Sequence, residues 1–473
     1  MRAIAEKDGC QAGSGAVWSV AMSRAAYRIV IAGGGIAGLE ALLALRVLAG
    51  PRARITLVTD AAHDEDRPMS VVEPFDRGIA SKRDLVAIAD DQGADLHFDR
   101  FVGVDVEQRI ARCANEDHPY DALIVATGAH PEVQFPEAVT FRGPADVAAM
   151  RQVRDDLVSG AASSAAFVIP SMSAWPLPLY ELALMTGADV RAHGRDATLT
   201  IVTPEDAPME LFGPAAAEAL RPLLAQRGVA VRPGTRVVEL TDGLITDDTG
   251  AQMRAERVVA VPIARGRPPA GLPSDRSGFL ICDAHGRVVG APGVFAAGDV
   301  TAFPLKQGGL ASQQADAVAE AIAAEMGAAI EPRPFVPVIR GMLLIGGQAL
   351  YLRARVGSDQ GVVEEFQVHG EASQRPLWWP PAKVAARYLG PYLATARPPR
   401  LGTEPLTDRP GPAPGAPVGD ARAAVELALT MADADAQWGD FDAAVRALDA
   451  AQAAGGTLPP EYVRKRERWW LSR

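Results

Sequence analysis

Apolar residues run unbroken through Ile29-Val30-Ile31-Ala32, break at Gly33-Gly34-Gly35-Ile36-Ala37-Gly38, and then recur at helical spacing from Leu39 to Leu48. That pattern predicts a buried strand, a tight turn and a helix. A second apolar run, residues 54–59, predicts another strand and ends in Asp60. Residues 101–106 alternate like an exposed strand, and Cys113 falls in the short strand after it. Residues 120–125 read as a buried parallel strand leading into Ala126-Thr127-Gly128, and residues 293–297 as another leading into Gly298-Asp299. Between them, residues 166–169 and 199–202 are apolar strands, with a helix from about Leu179. A helix is predicted over 312–326, and paired strands around a glycine turn over 342–352. Strands alternating with helices predict an α/β fold with parallel sheets.

Composition narrows the class. The chain has 473 residues, 48% of them hydrophobic, enough for more than one core. No apolar run reaches the roughly 18 residues that a membrane-spanning helix needs. Net charge is −11, which argues against a nucleic-acid-binding surface. Cys10, Cys113 and Cys282 are scattered, with no C-x-x-C and no linear metal-ligand cluster, so no metal is expected and a reducing, cytoplasmic setting fits. Residues 1–25 lack a compact apolar segment and read as a mobile arm, with Met22 as an alternative start.

Gly33, Gly35 and Gly38 form G-x-G-x-x-G between strand and helix, the context in which that motif binds a dinucleotide. Gly33 permits the turn, Gly35 lets the backbone approach a pyrophosphate, and Gly38 lets helix pack on strand. Asp60, about 20 residues on, stands where an acidic ribose ligand is expected. Together with Ala126-Thr127-Gly128 and Gly298-Asp299, this turn resembles the three FAD-contact motifs of flavoproteins with two dinucleotide-binding domains. That superfamily, the FAD-dependent pyridine nucleotide-disulfide oxidoreductases, includes disulfide reductases, type II NADH dehydrogenases and sulfide:quinone oxidoreductases. The resemblance covers residues 26–395. It implies that Asp299 accepts a hydrogen bond in the ribityl or phosphate region of FAD; capping a helix is compatible with that role.

The same resemblance divides the chain. Residues 26–143 and 271–333 form a discontinuous FAD domain, and 144–270 an inserted NAD(P)-binding-like domain. Residues 334–400 form a flavin cap or interface region; beyond the resemblance, composition makes 401–419 a Pro/Gly-rich linker, and Ala-rich periodicity predicts over 420–473 a helical hairpin like one tetratricopeptide unit. The hairpin would pack on the flavin domain or on a second copy in a homodimer, with Trp469-Trp470 as its anchor. In the inserted domain, the turn expected to carry glycines reads Pro170-Ser171-Met172-Ser173-Ala174-Trp175-Pro176. Side chains there argue against tight NAD(P)H binding. The resemblance places Glu181 near the flavin, where a buried carboxyl relays protons, although it could instead only stabilise its helix N-terminus. Lys306 and Gln307 precede a helix aimed at the flavin ring, and Lys306 would stabilise charge on the reduced ring. Trp378, Trp379, Lys383 and Arg387 fit either a short interfacial helix, with peripheral attachment at the inner face of the membrane, or a core cap.

Residues 61–100 hold no cysteine and none follows Cys282, so the thiol chemistry of disulfide reductases and sulfide oxidation is not expected. The expectation is an FAD-dependent oxidoreductase passing electrons from a small-molecule donor to a quinone or other small acceptor. The alternatives are an NAD(P)H dehydrogenase with an atypical second domain, and a flavin-binding scaffold.

Overall fold

The computed structural model describes residues 26–357, 367–379, 381–394, scattered positions between 429 and 452, and 458–470. The glycine-led strand Tyr27–Ala32 lies at the centre of a five-stranded parallel sheet. Ala53–Thr59 and Asp95–Phe98 extend it on one side, Ala122–Val125 and Val294–Ala296 on the other. Strands on both sides of the inserted region therefore share one sheet. The helices Ile36–Ala49 and Gly308–Glu325 pack on one face, and the first is buried without a break from Ala37 to Leu45. An apolar, all-round helix of this kind belongs to a core.

A second five-stranded parallel sheet runs Val139–Thr140, Arg257–Ala260, Ser164–Val168, Thr198–Val202, Val229–Arg232. Its helix Leu177–Ala192 starts two residues earlier than the apolar spacing suggests, with Pro178 accepted in its first turn. The helix expected from Ser312 starts at Gly308, because the Gln307 side chain accepts the Leu310 N–H at 2.9 Å and caps it there. Val338–Leu343 and Leu350–Gly357 pair as expected around the glycine turn. A third strand, Gln367–Ser373, completes that antiparallel sheet.

The interfacial helix is not formed. Residues 382–388 are irregular, and the helix there, Leu389–Ala394, comes later. Trp378 is fully buried, donates its indole N–H to Ala382 at 3.1 Å, and meets Tyr351 edge to face at 5.2 Å. Lys383 is buried with it. A buried indole with its polar handle satisfied is a core element, not a lipid anchor.

Near the C-terminus, Trp469 lies in the helix Pro460–Trp470 and packs with Ala444, Val445, Leu448 and Leu458, while Trp470 is exposed. Trp469 thus closes a local cluster. The arm 1–25, the linker 401–419 and the helix start at 439–443 lie outside the described residues. No helix among the described residues is long and apolar enough to cross a membrane.

Candidate functional site

The three predicted turns meet at the carboxyl ends of the first sheet's strands, where ligands of open α/β sheets bind. Gly33 adopts φ +119°, and a Cβ there would lie 2.3 Å from the Ala126 carbonyl oxygen, so the first turn rests on the second. A Cβ on Gly38 would lie 1.9 Å from the Gly33 carbonyl oxygen, so this glycine serves packing and does not line the site. A Cβ on Gly298 would stand 3.0 Å from that of Ala37. Gly35 differs, because a Cβ there meets no protein atom within 4 Å.

Gly35 faces a cavity of about 980 Å³, at the upper end of the range for ligand sites. Gly33, Ile36 and Ala37 line it from the first turn, and Asp60 from the end of the second strand. Ala126, Thr127 and Gly128 line it from the second turn, Gly298 and Asp299 from the third, and Lys306 and Gln307 from the approach to the second helix. The first helix has no side-chain cap and no acid in its first turn, so its free N–H groups are available to a diphosphate. An open cradle at Gly35, an uncapped helix N-terminus and a ribose-distance acid fit FAD.

Burial pushes the Asp299 carboxyl up, opposed by Lys306 and Arg67 and by the Gln307 N–H. Lys306 points differently from the sequence expectation. Its ammonium donates to the carbonyls of Thr301 and Phe303, the latter at 2.7 Å, and lies 3.7 Å from the Phe279 ring centroid. Burial lowers it to about 8, with Asp299 acting the other way. Its charge is committed to protein oxygens while its stem lines the cavity.

Glu181 is buried behind the cavity wall. Its Oε1 accepts the Leu344 N–H at 2.7 Å and the Lys383 ammonium, while its Oε2 is buried with no hydrogen-bond partner among the described residues. Burial raises the carboxyl to about 7, although Lys383 and the Leu344 N–H pull it down. Burial also lowers Lys383. Lys383 lines the cavity and its ammonium also donates to the Met342 carbonyl at 3.2 Å, so the buried pair lies against the cavity wall. Sequence reasoning missed Lys383 as a site residue, because 202 positions separate the pair and neither neighbourhood shows the other.

The second parallel sheet presents side chains, not glycines, at the corresponding turn. After its first strand, Trp175, Leu177 and Pro178 project into the same cavity. Beyond Thr198–Val202, Glu205 is buried and its Oε2 accepts the hydroxyls of Tyr180 and Thr203, both at 2.9 Å, while its Oε1 is buried without a partner among the described residues. The acid that would meet a nucleotide ribose at that strand end is engaged internally. The thiols of Cys113 and Cys282 line no part of the cavity, and burial pushes them up to about 11 and about 12.

Comparison with known proteins agrees with this geometry. The family described as pyridine nucleotide-disulphide oxidoreductase matches residues 27–324. The ferredoxin reductase component of a chlorobenzene dioxygenase from Cupriavidus sp. (strain PS12) is 29% identical, over 66% of this chain and 77% of its own length. An NADH dehydrogenase-like protein of Mycobacterium tuberculosis is 26% identical, over 58% of this chain and 73% of its own. Among solved structures, the sulfide:quinone oxidoreductase of Aquifex aeolicus superposes with a TM-score of 0.64 at 18% identity, covering 74% of this chain and 87% of that one.

Proposed function

The chain belongs to the pyridine nucleotide-disulphide oxidoreductase family of FAD-dependent oxidoreductases, and from that premise we propose that it delivers electrons to a quinone or similar proton-consuming small acceptor. The observation that carries this reading is the buried Lys383–Glu181 pair at the cavity wall. An acceptor that gains two electrons and two protons needs a proton source at the point of reduction. Bound FAD supplies the redox chemistry; the protein supplies binding, orientation and protons.

The chain's own groups divide as follows. Gly33, Gly35, Ile36 and Ala37 hold the diphosphate, with the first helix's N–H groups behind them. Asp60 takes the ribose. Ala126, Thr127, Gly128, Gly298 and Asp299 close around the remainder. Lys383 holds a proton at Nζ on the cavity wall, and Glu181, raised to about 7, refills it from behind near neutral pH. Lys306 stiffens the third turn and adds positive potential to it. Gln307 caps the second helix and donates to the Arg340 carbonyl at 2.9 Å, which ties the C-terminal sheet to the cavity.

A donor other than NAD(P)H is supported by the side-chain-filled turn 170–176 and the engaged Glu205. Reduction by NAD(P)H is the second reading, favoured by the relatives named as NADH dehydrogenase-like and as a ferredoxin reductase. Anaerobic mixing of the flavin-loaded chain with NADH, NADPH and sulfide, followed by a soluble quinone, separates them. Slow bleaching by both nicotinamides and fast reoxidation by quinone are expected. Bleaching by NADH within one turnover would establish the second reading, and failure of quinone to reoxidise the flavin would remove the proposed acceptor.

A further inference from the structure

We propose that His97, Glu116 and His118 form a binding site for a divalent transition ion of the zinc class, separate from the flavin cavity. His97 sits in the edge strand of the first sheet, Asp95–Phe98, and His118 in the short strand His118–Pro119, which pairs with Ile110–Cys113. One ligand atom from each of the three residues lies within 4.8 Å of the others. His97 Nδ1 stands 3.6 Å from Glu116 Oε2, and the two imidazoles meet edge to face at 4.5 Å between centroids. Tetrahedral zinc, with bonds of about 2.0–2.1 Å, spaces its ligands about 3.4 Å apart, so the His97–Glu116 pair already stands close to that spacing and side-chain movement of no more than about 1.4 Å closes the set.

Two further observations point to a ligand. His118 is 7% exposed, yet its Nε2 is buried with no hydrogen-bond partner among the described residues. Buried polar atoms are normally satisfied, and an orphan imidazole nitrogen beside a second imidazole and a carboxylate is a metal-ready donor. The third donor is also positioned in advance. The Asp99 carboxylate accepts the N–H groups of Asn115 and Glu116, at 2.9 and 3.0 Å, pinning the loop that carries Glu116 to the end of the His97 strand. Two imidazoles with one carboxylate select zinc-class ions over calcium or magnesium. Glu116 is exposed, which gives the ion an entry path from solvent and leaves a fourth position for water. Because the fold joins two separate sheets here, linear spacing shows no such cluster.

The test uses the full-length, flavin-loaded chain after chelator dialysis. Titration calorimetry with zinc chloride is expected to give one saturable site per chain, with no comparable binding of magnesium. His97→Gln and Glu116→Gln, both at partly exposed or exposed positions, are expected to weaken zinc at least about tenfold while flavin absorbance stays unchanged. Absence of saturable zinc binding overturns the proposal, as does unchanged affinity in both variants or equal binding of magnesium.

Discussion

Gly35 and Gly38 are three residues apart and face different constraints. A methyl on Gly38 runs into backbone, the Gly33 carbonyl, which cannot rotate away. Gly38→Ala is therefore expected to destabilise the fold by about 3 kcal/mol, the upper range of overpacking, read as a drop in denaturant midpoint. A methyl on Gly35 meets only cavity. Gly35→Ala should leave the midpoint of the flavin-free chain within about 0.5 kcal/mol and weaken FAD at least about tenfold by equilibrium titration. Equal loss of stability in both variants would contradict the assignment of the cavity to the cofactor. Glu181 makes a different prediction, about pH. Its carboxyl is raised to about 7 and donates protons only below that value, so turnover should fall as pH rises through about 7. Glu181→Gln should abolish that limb of the profile and cut turnover about a hundredfold with flavin content unchanged. If Glu181 and Lys383 act as one relay, Lys383→Gln should cost no more when added to Glu181→Gln.

Between the two helices of the first sheet lies a second pair of buried acids. Glu40 accepts the N–H groups of Tyr388 and Leu389, at 2.8 and 2.6 Å, and so fastens the C-terminal segment across the first helix. Burial raises Glu40 to about 7, and burial together with Glu40 raises Asp316 well above the usual carboxylate range. A carboxyl raised on folding stabilises the native state fully below its unfolded pKa, near 4.5, and loses that stabilisation as pH climbs through about 7. The loss from Glu40 is on the order of 3 kcal/mol between pH 5 and 8, and Glu40→Gln should flatten it; denaturant midpoints at the two pH values decide this. The neighbouring element, residues 377–388, carries the opposite lesson. Adjacent tryptophans with interleaved basic residues fit a membrane surface or a core in one dimension, and only packing chooses between them. Trp378→Ala should cost about 3–5 kcal/mol, as large aromatic truncations in cores do, with no change in vesicle binding.

For the molecule as a whole, the legible parts are those whose signal is local. Strand, glycine turn and helix advertise themselves within 20 residues, Ile29 to Leu48, and apolar runs of their own lead into the second and third turns. The expectation that three distant turns share one cavity came from their resemblance to the FAD-contact motifs of a known superfamily, and parallel pairing across the inserted region realises it. The Lys383–Glu181 and His97–His118 groupings were not legible, because each joins residues from distant parts of the chain whose own neighbourhoods show nothing of the partner. Lys306 was legible in position but not in direction, since backbone carbonyls three and five residues upstream capture its ammonium. The same distinction bears on the C-terminal residues. The described members of that cluster, Ala432, Ala444, Val445, Leu448, Leu458 and Trp469, pack on one another, and none belongs to the clusters that back the flavin cavity. Glu40 and the Trp378 core hold the preceding segment to the flavin-side sheet independently of them. A chain ended at residue 400 should therefore retain one FAD per chain and melt within a few degrees of the full-length protein. Because a separate cluster of this size buries little apolar surface by itself, its stability should depend on a partner, and the truncated and full-length chains should differ in assembly state by light scattering rather than in flavin content. Loss of flavin on truncation would instead show that residues beyond 400 complete the cofactor site.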